Sequence, residues 1–328
     1  MFDSGITTLN LAVTGKPDEF ASPGTTVSYI GESDSGKTVL GLTTLAASFY
    51  ASGGRVNPLF YAFEPNLLID IERLFGKKFA KALETVTDLG MTLEQWQVDV
   101  RDRFKAARKP MLAVLDSTDA LQCKDDIEAG NKVDKGSTKA GYGTAKAAAF
   151  SRALPEVTKA VSDNQGLLIL LSQVRENPAQ MFGSPLRRSG GKALNYYSEL
   201  MVWLATSNKE KVEDVKVGGW TKIEVKRNKV TGETRTIYAP IYPAYGIDDI
   251  RAMLHFLADT DSGASWTARD MSKIKIGEQE TSLAEMAAFF DTDEDTRSAL
   301  KKLVVEAWNA REAKISNKVL AGRPRRFL

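Results

Sequence analysis

One cysteine and one histidine in 328 residues close off several kinds of chemistry at once. Cys123 has no partner for an internal disulfide, and there is neither a C-x-x-C pair nor a histidine cluster to hold zinc. A catalytic histidine would have to be His255, which lies in the apolar stretch "MLHFLA" and reads as a packed or half-exposed helix residue. Net charge is also missing: 44 Lys and Arg stand against 42 Asp and Glu, so the chain is no global polycation and any basic surface must be local. No segment approaches the roughly 18 apolar residues of a membrane span, and "MFDSGITTLNLAV" lacks the basic start of a secretory signal. A soluble, cytoplasmic protein is expected. With 43% apolar residues the chain can bury a sizeable core, and its length suits one large domain plus a smaller one.

What the chain does contain is organised. "TTVSYIG" is a β-rich run leading into "GESDSGKT" at 31–38, and "KTVLGLTTLAASFYAS" comes next as a buried helix stopped at Gly53-Gly54. "PLFYAFE" predicts a second strand ending at Glu64. "TLEQWQVDVRDRF" predicts a helix with Thr92 and Gln95 at capping-box spacing and Leu93, Trp96, Val100 and Phe104 on one stripe. "MLAVLDS" and "GLLILLS" are apolar without alternation, as strands buried on both faces of a parallel sheet must be. Between them "TAKAAAFSRALPEVTKAVSD" predicts a helix interrupted or kinked at Pro155. "SELMVWLA", "WTKIEVKRN" and "TRTIYAPIY" predict further strands, the last two a hairpin through "KVTGE". From about residue 249 the text turns to helices and short turns. The expected fold is therefore α/β, a mostly parallel sheet extended by antiparallel strands, with a core at 1–248 and a small C-terminal α+β domain at 249–328.

The spacing G-x-x-x-x-G-K-T between a strand and a helix is a phosphate loop. Gly31, Glu32, Ser33, Asp34, Ser35 and Gly36 would offer backbone N–H groups to anionic oxygens, Lys37 would reach β and γ phosphates, and the Thr38 hydroxyl would ligate magnesium. Asp34 is out of place, since a carboxylate beside an anion nest is repelled; it is expected to face solvent or a neighbouring subunit. Asp116, ending "MLAVLD", either holds magnesium through water or caps the next segment of chain. Glu64 is either the general base for an attacking water or a solvated strand-end carboxylate, and Gln173 sits where a γ-phosphate sensor would pass its signal to the adjoining loop. That loop sets Met181 and Phe182 among Arg175, Arg187, Arg188 and Lys192, which reads as phosphate contacts with an apolar wedge between bases, or as a solvated basic loop.

In order and spacing, "GESDSGKT", "FYAFE", "AVLDS", "LILLSQVR", "MFGSPLRRSGGKALNYYS", "EVKRNK" and "AYGID" resemble the RecA family of bacterial and phage strand-exchange recombinases, from about residue 5 to about 255. The resemblance implies ATP and Mg2+ as ligands, Glu64 as catalytic glutamate, Gln173 as nucleotide sensor, and mobile DNA-facing loops near 125–142 and 175–192. It implies Phe182 as the loop aromatic, Gly190 and Gly191 as a DNA-contacting pair, and Arg227 and Lys229 as cations reaching a neighbouring subunit's γ phosphate. Two departures stand out. The family's N-terminal docking arm has no counterpart before "SGITTLNLA", and Leu68 holds the position of an acidic base-binding residue, with Asp70 displaced nearby. Residues 301–328 carry eight basic and two acidic side chains, where the bacterial proteins end in an acidic tail.

The implied function is a DNA-dependent ATPase of bacterial or phage-infected cytoplasm that coats single-stranded DNA, and with it double-stranded DNA, as a helical homo-oligomer that promotes pairing and strand exchange. Two alternatives keep the fold. A ring-forming helicase-like motor would give closed hexamers, and an accessory paralogue serving a partner recombinase would form no filaments by itself.

Overall fold

The computed structural model describes residues 1–64, 69–127, 144–176, 186–188, 191–262, 274–276 and 279–320. Six strands run parallel: β1 (Thr25–Gly31), β2 (Asn57–Ala62), β3 (Glu84–Val86), β4 (Met111–Asp116), β5 (Leu167–Glu176) and β7 (Leu200–Val212). Short β6 (Leu186–Arg188) pairs antiparallel with β5. Three antiparallel strands, β8 (Val215–Asn228), β9 (Arg235–Tyr242) and β10 (Gly246–Ile247), extend the sheet beyond β7, in the order β10-β9-β8-β7-β1-β5-β4-β2-β3. This is the expected mixed α/β sheet.

Successive strand residues point to opposite faces, so a strand buried on both sides must be apolar at every position. In β5, Leu167, Ile169 and Leu171 enter one apolar cluster and Leu168 and Leu170 the other. The first cluster is covered by α1 (Thr7–Thr14), α2 (Lys37–Ala51) and α3 (Ile71–Ala82), the second by α4 (Leu93–Ala106), α5 (Thr144–Asp163) and α6 (Gly191–Tyr197). The capping box of α4 forms as expected: Gln95 N–H donates to Thr92 Oγ1 at 3.3 Å, and the Thr92 N–H donates to Gln95 Oε1 at 2.8 Å. Its stripe of Leu93, Trp96, Val100 and Phe104 is buried.

The helix is not interrupted at Pro155. Helix α5 runs through it as a single element, because Pro155 is exposed and the hydrogen bond it cannot donate lies on the solvent side, while Phe150, Ala153, Leu154 and Val157 are buried. C-terminal to the sheet, α7 (Asp249–Ser262) packs on β9 and α1, and α9 (Glu294–Leu320) packs on α7 and α8 (Leu283–Phe290). A two-stranded ribbon, β11 (Ile274–Ile276) with β12 (Gln279–Thr281), accompanies them. His255 is buried on α7 between the rings of Trp220 and Tyr238, with centroids 5.0 and 5.2 Å away. Among the described residues no helix is long and apolar enough to cross a membrane.

Candidate functional site

At the C-terminal ends of β1, β4, β2 and β5 a cavity of about 690 Å³ opens, lined by Gly36, Lys37, Thr38, Glu64, Asp116 and Gln173. Its size falls within the range of small-molecule sites. Stretches far apart in the chain meet here because parallel strands leave the sheet at the same edge, where open α/β sheets bind their ligands.

The loop 31–36 needs glycine at each end for a different reason: close packing at Gly31 and the left-handed turn at Gly36. A Cβ on Gly31 would lie 2.4 Å from the Leu204 carbonyl oxygen, and Gly36 takes φ +91° as the residue before α2. Lys37, only 8% exposed, folds back so that its ammonium donates to the carbonyl oxygens of Gly31 (3.0 Å) and Glu32 (2.6 Å). Burial pulls its pKa below the usual lysine value, opposed by the negative charges of Asp116 and Glu64. Thr38 Oγ1 donates to Asp116 Oδ2 at 2.5 Å. Burial pushes the Asp116 carboxyl up to about 6; the Thr38 hydrogen bond opposes this, Glu64 adds to it, and Lys37 opposes it.

Glu64 lies two residues past the end of β2, not on the strand itself. Its Oε1 accepts from Ser117 Oγ at 2.6 Å and from Gln173 Nε2 at 3.1 Å, so the carboxylate is held in place facing the cavity. The Gln173 backbone N–H donates to Asp119 Oδ2 at 2.8 Å. Sequence reasoning passed over Ser117 and Asp119. Both come just after the strand-end aspartate, a place where chain leaving a parallel strand can reach the next strand's exit.

Asp34 takes φ +60°, a left-handed conformation that Asp tolerates better than most residues. Its side chain is 81% exposed, and its Oδ2 accepts from Lys216 Nζ at 3.3 Å within the same chain. Lys216 belongs to the β7–β8 hairpin, whose Thr206, Lys216, Gly218, Gly219 and Thr221 form one wall of the cavity. This wall was missed, since "TSNKEKVEDVKVGG" is too polar to read as strand.

Arg227 and Lys229 are not brought to Lys37. With Lys159, Gly24, Thr26 and Tyr196 they line a separate depression, beside the N-terminal end of β1. The rise of β1, about 3.3 Å per residue, puts roughly 20 Å between that end and the phosphate loop. Arg227 donates to the Asn195 carbonyl. Asp70 is engaged as the N-cap of α3, accepting from Arg73 N–H at 3.0 Å, and Leu68 lies outside the described residues. So do Met181, Phe182, Gly190 and most of the 125–142 segment. Arg175, Arg187 and Arg188 are placed only as paired backbone positions of β5 and β6, Gly191 opens α6, and Lys192 is exposed.

A larger cleft, about 1140 Å³, lies between the hairpin and α7 and α9. Its charges satisfy one another: Lys301 pairs with Asp18, Arg297 with Asp291, and Tyr242 donates to Glu210. Two of its carboxylates are engaged by hydroxyls, Asp249 by Thr7 at 2.7 Å and Glu210 by Tyr242 at 2.8 Å, and among the described residues no glycine-bounded phosphate loop lines it.

The description "RecA N-terminal domain" belongs to a family model that matches residues 2–248, most of the chain. The chain belongs to this family. The RecA-family chain is 27% identical over 259 residues to Protein RecA of Geobacter metallireducens, covering 78% of this chain and 72% of that protein. It is 27% identical over 264 residues to Protein RecA of Clostridioides difficile, covering 78% and 70%. A crystal structure of the RadB recombinase superposes with a TM-score of 0.53 at 18% identity, over 75% of this chain and 98% of that one, and shares the fold.

Proposed function

We propose that this RecA-family chain is an ATP-hydrolysing, magnesium-dependent recombinase or repair ATPase that binds single-stranded DNA as a helical assembly and promotes homologous pairing and strand exchange. The observation that carries the reading is one cavity holding a phosphate loop, a hydroxyl–carboxylate pair and an oriented glutamate. Thr38 and Asp116 are hard oxygen donors side by side, which fits a magnesium ion that keeps much of its water. When bound there, magnesium supplies positive charge to the transferring phosphoryl oxygens.

The chain's own groups do the rest. Lys37 exchanges the Gly31 and Glu32 carbonyls for β and γ phosphate oxygens, which repays its burial. Glu64 takes the proton of the attacking water, and Ser117 and Gln173 hold its carboxylate in the cavity. Gln173 lies within β5, which leads on toward Arg175, Met181, Phe182, Arg187, Arg188, Gly190, Gly191 and Lys192, the proposed DNA-contacting segment; a change in the Glu64–Gln173 bond is felt there. Arg227 and Lys229, roughly 20 Å from their own chain's phosphate loop, serve the nucleotide of a second copy stacked head to tail. A heterologous contact of this kind repeats into a helix or closes into a ring. Residues 1–248 form the ATPase core, 249–328 a smaller C-terminal unit, and the assembly acts in the cytoplasm, alone or with a partner recombinase.

The test is ATP turnover with and without single-stranded DNA, with the same sample imaged by negative-stain microscopy. Stimulated turnover on filaments is expected, and Lys37→Ala abolishes ATP-dependent DNA binding. Closed rings that unwind duplex, or DNA binding that survives Lys37→Ala, would overturn the reading.

A further inference from the structure

The phosphate loop carries two carboxylates, Glu32 and Asp34; of the two only Asp34 lines the cavity, and the structure places a lysine against it. Lys216 lines the cavity and donates to Asp34 Oδ2 at 3.3 Å, joining the tip of the β7–β8 hairpin to the loop across 182 positions of sequence. The two side chains are 43% and 81% exposed, so the pair adds little to stability. Its position gives it another use. A polyphosphate bound over residues 31–38 meets the Asp34 carboxylate at close range, and an unneutralised charge there raises its dissociation constant.

We propose that Lys216 is an affinity-setting residue of the nucleotide site that acts through Asp34, cancelling the one loop carboxylate that lines the cavity so that a nucleoside polyphosphate can occupy it. The proposal rests on the reading of this cavity as a nucleotide site. It also explains how an acid is tolerated within the motif. Asp34 tolerates the left-handed turn that the loop needs, and the hairpin supplies the opposite charge from a distant stretch of chain. Lys216 has its own backbone anchor, since Lys216 pairs with Lys211 in the β7–β8 ladder and Gly218 and Gly219 come after it along the cavity wall.

The experiment is titration of the full chain with a fluorescent ADP analogue and magnesium, for wild type, Lys216→Ala, Asp34→Asn and the double variant, with Lys37→Ala as control. Asn keeps the shape of Asp and its tolerance of the turn while removing its charge. Lys216→Ala is expected to weaken binding roughly five- to tenfold, since an exposed charge acts here on a multiply charged ligand. Adding Asp34→Asn restores affinity to within about twofold of wild type, and the defect shrinks at high salt as screening replaces the lysine. The melting temperature of Lys216→Ala stays within about 2 °C of wild type, as an exposed pair requires. The proposal is overturned by a Lys216→Ala protein that binds like wild type, by a double variant as weak as Lys216→Ala alone, or by a large fall in melting temperature that makes the pair structural. Failure of the site reading looks different: wild type itself then does not bind the analogue, or binds it as well after Lys37→Ala.

Discussion

Protonating His255 is expected to cost the fold about 3 kcal/mol. The imidazole is buried on α7 against Trp220 of β8 and Tyr238 of β9, and burial holds its pKa down at about 4, against 6.5 for a free histidine. The folded protein therefore binds fewer protons than the unfolded chain between these two values. Stability from this group is complete above pH 6.5 and drains away as pH falls through the window to 4. A difference of 2.5 units at about 1.4 kcal/mol each, with the folded state half protonated at pH 4, leaves a loss of about 3 kcal/mol. Carboxylates titrate in the same range, so the informative quantity is a difference. Urea denaturation at pH 7.5 and pH 4 is compared between wild type and His255→Phe, which keeps an apolar ring in the site. Wild type should lose about 3 kcal/mol more than the variant. The chain has one histidine, so its C2 proton gives a single resonance whose titration reads the folded pKa directly. A midpoint near 6.5 in the folded protein would refute the argument. The position matters for the candidate site because Thr221, next to Trp220 on β8, lines its cavity.

Two further outcomes rest on the geometry. Mixing Lys37→Ala with an Arg227→Ala/Lys229→Ala double variant, each inactive alone, should restore about a quarter of wild-type ATP turnover, because in random head-to-tail assemblies one interface in four joins an intact loop to intact cations; no recovery would mean that the cations do not act across copies. Gly31→Ala puts a methyl 2.4 Å from the backbone oxygen of Leu204 and should cost about 1–3 kcal/mol in urea denaturation, with β7 forced away from β1; a loss below about 0.5 kcal/mol would show that the sheet yields there.

The legible part of the site was the part written in short segments. "GESDSGKT" fixes its own loop, and a doubly buried strand such as "MLAVLD" announces both its place in a parallel sheet and the edge at which Asp116 emerges. Glu64 and Gln173 could be named because each closes a strand-like run, but that Glu64 is held by Ser117 and Gln173 depends on β2, β4 and β5 lying side by side. Strand order is a long-range outcome that periodicity does not encode.

The β7–β8 hairpin was harder for a different reason. Residues 206–217 carry few apolar side chains and beyond Ala205 most of them are exposed; only pairing with its partner strand makes this stretch β. The hairpin nonetheless supplies a wall of the cavity and the cation opposite Asp34. The Asp34 anomaly was visible in eight residues, whereas its resolution required the register of a strand nearly two hundred residues away. A carboxylate within a phosphate loop is thus a sequence-level sign that a compensating charge must come from elsewhere. This chain finds that charge within itself, on a hairpin that no local motif identifies.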